Sequence, residues 1–181
     1  AWKTYPERQP TEEPGDSLLV FEDTNSDGAA DTCTPFLDDL NCPTGFQFYK
    51  DGVLVMQAPN LWYVRDTDGD GRGDSKELVL MGIDSADSHH TTNAMVLDPG
   101  GATYLSDGVF HRTQIETPWG PPVRNNDGCI FRYEPRTQKI ERYVSYGFAN
   151  PHGRVFDRWG NDIITDATGN ANYFGPAFSG F

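Results

Sequence analysis

Three segments of this sequence share a pattern that leaves few folds open: "TGFQFYKDGVLVMQ" at 44–57, "NAMVLDPGGATYLS" at 93–106 and "HGRVFDRWGNDIIT" at 152–165. Each starts at a small residue (Gly45, Ala94, Gly153) and continues with alternating apolar positions. Each then meets a glycine seven residues on (Gly52, Gly101, Gly160) before a second β-rich run. Period-two alternation is a strand signal and a glycine between two such runs is a turn signal, so each segment reads as strand, tight turn, strand. Further hairpins lie between them: "LWYVR" and "ELVLMG" flank an acidic loop, and "CIFRYE" and "KIERYVS" flank "PRTQ". One unit is then four antiparallel strands, a to d, and Gly52, Gly101 and Gly160 space the units by 49 and 59 residues. Four-stranded repeats of roughly 40–50 residues are propeller blades, the longer ones carrying insertions. The expectation is an all-β chain covering about three blades of a β-propeller. After an N-terminal extension (1–15), the units span about 16–42, 43–91, 92–149 and 150–181. Two blades are complete, one contributes its outer strands and one its inner strands. Propellers close with about 4–8 blades, so the rest of the ring is expected from the same polypeptide or from another chain.

The bulk numbers narrow the partners. Of 181 residues, 27 are acidic and 14 basic, a formal charge of −13, which argues against a nucleic-acid backbone or an anionic membrane as partner. No run approaches the roughly 18 apolar residues of a transmembrane helix. The chain opens on "AWKTYPERQP" without an initiator Met, as either a mature exported chain or an excised fragment would. Cys33, Cys42 and Cys129 have no zinc-like spacing. Cys33 and Cys42 could bridge across a turn or be two buried thiols, and Cys129 is left over either way.

Two acidic loops repeat at an offset of 43: "LLVFEDTNSDGAAD" (18–31) and "LWYVRDTDGDGRGD" (61–74). The pattern D-x-[DN]-x-[DN]-G places oxygen ligands around a hard cation, with glycine permitting the sharp turn beneath it. In the second loop the ligands would be Asp66, Asp68, Asp70, the Arg72 carbonyl, Asp74 and Glu77. In the first they would be Asp23, Asn25, Asp27, the Ala29 carbonyl and Asp31, with Thr34 at position 12. The flanks are strands rather than helices, so these are Ca²⁺ loops on β-hairpins and not EF-hands; the alternative is a solvated acidic turn without an ion. As c–d turns, they fall on the face of the disc opposite the d-to-a links, which gives them a structural role.

The d-to-a links reach the propeller axis because strand a is innermost. They read "LNCPTG", "DSHHTTN" and "FANPHG", and bring Asn41, His89, His90, Asn93, Asn150 and His152 to one mouth. Asp166, at the end of a b strand, joins them or serves as a cap. A long b–c insertion, "DGVFHRTQIETPWGPPVRNNDG" (107–128), adds His111, Arg112, Glu116, Trp119 and Arg124 on the same face. Such a mouth suits a small polar or anionic ligand. The competing reading is that the histidines satisfy backbone groups. In an extended segment, only one of His89 and His90 could face the axis.

"LVFEDTNSDGAAD", "PTGFQFYKDGVLVMQAPNLWYVRDTDGDGRGD", "DSHHTTNAMVLDPGGATYLSDG", "ETPWG" and "GFANPHG" together resemble the planctomycete-type propellers named as membrane-bound dehydrogenases. That group is related to soluble PQQ-dependent glucose/sorbosone dehydrogenases. The resemblance runs over about residues 16–175. It implies a six-bladed propeller, export to the periplasm or cell exterior, PQQ as cofactor and a cytochrome c electron acceptor. It also implies a histidine base (His89 or His90), with His152 and Arg112 on cofactor or substrate. Three functions therefore stand at this point. One is a calcium-stabilised PQQ-type sugar or alcohol dehydrogenase. The second is a non-catalytic propeller that binds carbohydrate or protein. The third is a calcium-dependent lactonase-like hydrolase with an axial metal held by residues such as Asn41, Asn93 and Asn150.

Overall fold

The computed structural model describes residues 3–5 and 15–175. The remainder of the expected N-terminal extension and residues 176–181 of the last unit lie outside the described residues. Strands β1 (Asp16–Glu22) and β2 (Thr32–Leu40) pair as a hairpin around the first acidic loop. β3 (Gly45–Tyr49), β4 (Gly52–Gln57), β5 (Asn60–Arg65) and β6 (Ser75–Met81) form an antiparallel sheet in chain order. β7 (Asn93–Leu97) and β8 (Thr103–Asp107) are followed by a separate hairpin, β9 (Arg112–Thr117) and β10 (Gly120–Asn126). The chain then rejoins the β7–β8 sheet with β11 (Cys129–Glu134) and β12 (Lys139–Val144), in the order β7-β8-β11-β12. β13 (Pro151–Phe156), β14 (Asp162–Asp166) and β15 (Ala171–Phe174) make the last sheet. This last unit thus contains a third strand beyond the inner pair expected for it.

These sheets pack face to face as propeller blades, and the middle strands show why. Alternate residues of β4 enter different cores. Val53 and Val55 meet Leu40 and Val64, backed by Leu18, Phe36 and Leu37 from the first hairpin. Leu54 and Met56 meet Leu105, Phe131 and Tyr133 of the next sheet. β11 alternates in the same way, with Phe131 toward the second sheet and Ile130 toward Tyr104, Phe148 and Ile164. A strand buried on both faces has to be apolar at nearly every position, which explains the runs "GVLVMQ" and "CIFRYE". Each fully buried Leu or Phe contributes about 1.5–3 kcal/mol. β7 lies beside both β3 and β13, so the a strands are neighbours around one axis and their starts meet at one mouth.

The insertion at 107–128 departs from expectation. Instead of a loop over the axial face, β9–β10 runs between the outer strands β6 and β12. The Gln114 amide donates to the Gly82 carbonyl at 2.9 Å. Ile115 is completely buried in the core between the second and third units. At the hairpin tip the Trp119 indole donates to the Thr137 carbonyl at 2.9 Å, in the β11–β12 turn at the far end of the unit. Alternation of buried Thr113 and Ile115 with exposed Arg112, Gln114 and Glu116 is a strand signal, and burial of Ile115 draws the hairpin to the rim. Trp119 therefore stands at the rim and forms no lid over the mouth.

Candidate functional site

The three axial links and the turn after β8 line an open cavity of about 500 Å^3. Pro43 and Thr44 come from the β2–β3 link, Ser88 to Asn93 from the β6–β7 link, and Asn150 to His152 from the start of β13. The links are tied to one another: the Thr44 hydroxyl donates to the Thr92 carbonyl at 2.5 Å. Gly108 forms the floor, where an added Cβ would stand 2.8 Å from the His90 carbonyl oxygen and 3.0 Å from that of Ala149. Only glycine fits there, because two backbones approach the same point.

His89 and His90 both line this cavity, against the expectation that only one could. The reason is local: residues 88–90 are a turn and not extended chain, closed by the His90 amide donating to the Asp87 carbonyl at 3.3 Å. The two rings meet edge to face at 4.8 Å. Asp87 organises both residues. Its Oδ2 lies 2.9 Å from His90 Nδ1, and its Oδ1 accepts from the His89 amide at 2.9 Å. Burial alone would raise the Asp87 pKa, but the bonds from His90 and His89 outweigh it and hold the carboxyl below its usual range. A carboxylate on Nδ1 fixes the tautomer with the proton there and leaves Nε2 as the basic nitrogen.

Tyr5 enters from the N-terminal segment, and its hydroxyl lies 2.7 Å from His89 Nδ1. The segment is held by Asp16, whose Oδ1 accepts from the Lys3 amide at 2.8 Å and whose Oδ2 accepts from the Thr4 hydroxyl. Sequence reasoning missed Asp87 and Tyr5. An aspartate three residues before a histidine was a usable signal for the first; nothing local marked the second.

Of the other expected residues, His152, Asn93 and Asn150 line the cavity. The Asn93 amide donates to the Thr91 carbonyl at 3.1 Å, and that of Asn150 to the Thr168 hydroxyl at 2.6 Å. Asn41, Arg112, Arg124 and Asp166 do not line it. Asp166 is buried and accepts backbone N–H groups of Ala149, Asn150 and Thr168, each at 2.9 Å; it is the cap. Burial would raise its pKa, but those three donors keep it lowered. The rim hairpin carries Arg124 away, bonded to Gln114 at 2.7 Å. Arg112 faces a separate concavity with Phe110 and Asn126.

PQQ is a tricarboxylate, and no Lys or Arg lines the cavity among the described residues. The described residues therefore do not fit that cofactor. Among the described residues, His, Cys, Asp and Glu groups close enough to share one ion occur at Asp66, Asp68 and Asp70, whose oxygens lie within 4.8 Å of one another. That cluster belongs to the second acidic loop. The two loops share one closing bond: Asp23 accepts from the Gly28 amide at 2.8 Å and Asp66 from the Gly71 amide at 2.9 Å. These bonds, led by the glycine amides, lower both carboxyl pKa values. Gly28 and Gly71 hold positive φ of 91° and 86°, the left-handed turn that glycine permits. Two expected ligands are engaged elsewhere. Glu77 pairs with Arg65 at 2.5 Å, because β5–β6 pairing sets Glu77 beside Tyr63 and within reach of Arg65. Asp74 accepts from the Thr67 hydroxyl at 2.7 Å, as Asp31 does from Thr24 in the first loop.

A family model described as a domain of unknown function, DUF7133, matches residues 1–177. No curated protein matches the sequence. A crystal structure provisionally named a gluconolactonase shares 18% identity with the chain at a TM-score of 0.54, over 79% of this chain and 48% of that one. The chain thus spans about half the length of that protein, and the likeness is one of fold. No helix among the described residues is long and apolar enough to cross a membrane.

Proposed function

The chain belongs to the DUF7133 family, and from its site geometry we propose that it supplies the histidine-bearing part of an axial site for general-base chemistry on a small, neutral, hydroxylated ligand. The observation that carries this reading is the His90–Asp87 dyad at the cavity wall, 2.9 Å between Nδ1 and Oδ2. His90 Nε2 accepts a proton from water, the water oxygen adds to a lactone carbonyl, the ring C–O bond breaks and the imidazolium returns the proton to the leaving oxygen. Hydrolysis of a sugar lactone is preferred over hydride transfer to PQQ because the lining is neutral, and the name of the structural neighbour points the same way. His89, His152, Asn93 and Asn150 orient the ligand's hydroxyl groups. The edge of β1 that no described strand pairs, and the exposed Phe46 and Phe48 of β3, are covered by the remaining blades.

His90→Ala and Asp87→Asn are the test, with lactone hydrolysis as the readout. Loss of a positioned base lowers the rate by about 10²–10⁴-fold. Full lactonase activity in folded His90→Ala removes the reading. PQQ- and calcium-dependent dye reduction on a sugar panel would instead restore the dehydrogenase reading, with its cytochrome c acceptor.

The acidic loops are proposed as Ca²⁺ pins of the two hairpins. Extracellular calcium modules bind at about 10⁻⁴–10⁻³ M, which suits a protein exported to the periplasm or beyond. Saturating Ca²⁺ at about 100 times Kd adds about 2.7 kcal/mol, or roughly 5–10 °C in Tm for a chain of this size. The shift should be measured by calorimetry and should fall in Asp66→Asn; an unchanged Tm at about 10–100 mM Ca²⁺, some 100 times that Kd, counts against the pins.

A further inference from the structure

Beneath the cavity lies a second histidine that the proposed chemistry does not use. Asp107, at the end of β8, is completely buried. Its Oδ1 lies 2.7 Å from His111 Nδ1 and accepts from the Thr92 hydroxyl at 2.9 Å, while its Oδ2 accepts from the Thr113 hydroxyl at 2.6 Å. The other ring nitrogen of His111, Nε2, lies 2.8 Å from the backbone carbonyl oxygen of Asp87. With Asp107 as a carboxylate, both partners of the ring are acceptors, the arrangement that a doubly protonated imidazole matches.

That carbonyl belongs to the residue whose side chain orients His90. It also accepts from the Thr91 hydroxyl at 2.9 Å. Next to Asp107, the Gly108 amide donates to the His90 carbonyl at 2.9 Å. The turn bearing His90 is therefore gripped twice from below, and both grips start at residues 107–111. We infer that Asp107 and His111 form a positioning pair, in which the doubly protonated imidazole of His111 sets the Asp87 backbone and through it the His90–Asp87 dyad. This inference rests on the general-base reading of His90. Asp84, Asp87 and Asp107 face His111 from the β6–β7 link and β8. Arg112 follows it on β9 with its amide on Asp84 at 2.7 Å, and Cys129 stands opposite Asp107 in the β8–β11 register. Burial alone would depress the imidazole, but the Asp107 hydrogen bond and charge, the Asp87 carbonyl and Asp84 reverse this and raise its pKa.

The experiment is ¹⁵N NMR of the imidazoles in the whole chain, which does not depend on any catalytic assay. In the native protein at pH 7, both His111 nitrogens should be protonated and His90 should show a protonated Nδ1; an unprotonated His111 nitrogen overturns the inference directly. In His111→Gln, the His90 Nδ1–H resonance should be lost or shifted while the titration of His152 is unchanged. A folded variant with unaltered His90 signals also overturns it. If the general-base reading holds, kcat falls by at least about tenfold with KM nearly unchanged, since a positioned group has been displaced and not removed. If His90→Ala keeps full activity, the catalytic reading fails and the NMR result still decides the positioning role.

Discussion

Replacing Arg154 with methionine is expected to destabilise the protein by about 3–5 kcal/mol, the usual cost of leaving one partner of a buried ion pair alone. Arg154, on β13, and Asp162, on β14, have side chains 0% and 1% exposed and are directly paired. The guanidinium is packed among rings from two blades, 3.5 Å from the Tyr104 centroid, 4.7 Å from that of Phe156 and 4.9 Å from that of Tyr143. Among the described residues, Arg154 Nε and Nη1 and Asp162 Oδ1 find no hydrogen-bond partner. Burial therefore dominates both groups, lowering the Arg154 pKa and raising that of Asp162. Such a pair adds little net stability while intact and costs much when halved. Arg154→Met together with Asp162→Leu should recover most of the loss in a double-mutant cycle by urea denaturation. Additive losses would show that the ring contacts, and not the charges, hold this seam.

Asp107→Ala should be comparably severe, at about 3–5 kcal/mol, because it leaves the His111 imidazolium buried without its counter-ion. It also strips the Thr92 and Thr113 hydroxyls of their acceptor. For a chain of this length the loss corresponds to a fall of roughly 10 °C in Tm. The linked pH effect has a definite sign. The His111 pKa is raised in the folded state, so its contribution is complete below the ordinary imidazole value of about 6.5 and is lost as pH rises through the raised value. Asp87 and Asp166 have lowered values, so their contribution is present above about 3.9 and is lost as pH falls through the lowered ones. A Tm–pH profile should decline on its alkaline side as pH rises through the raised His111 value, and His111→Gln should flatten that limb. An alkaline limb unchanged in the variant would assign it to another group.

The candidate site is partly legible in the sequence. His89, His90, Asn93, Asn150 and His152 fall just before or at strand starts, and strand order alone brings those starts to the axis. The side-chain roles were not legible. Asp166 looked equally suited to the mouth or to a cap until three amides were found to occupy it. Arg112 and Arg124 looked like mouth residues because proline and glycine near the turn hid the alternation of Thr113 and Ile115.

What this sequence determined by itself is local in its physics. The strand and turn order follows from period-two burial and from glycines seven residues into each hairpin. The twin acidic loops close alike at an offset of 43 because the bond from an aspartate to a glycine amide five residues on needs nothing outside the loop. Tertiary packing decided everything that depends on competition between distant groups. Burial of Ile115 sent a hairpin to the rim, and β5–β6 pairing set Glu77 against Arg65. Asp16 carried Tyr5 to a histidine 84 positions away. Asp107 and the Asp87 carbonyl bracket the His111 ring, and the Asp87 carboxylate holds His90 Nδ1. Hydrogen bonds and charges are assigned by which partners burial brings within about 3 Å, and that distance is a property of the folded chain.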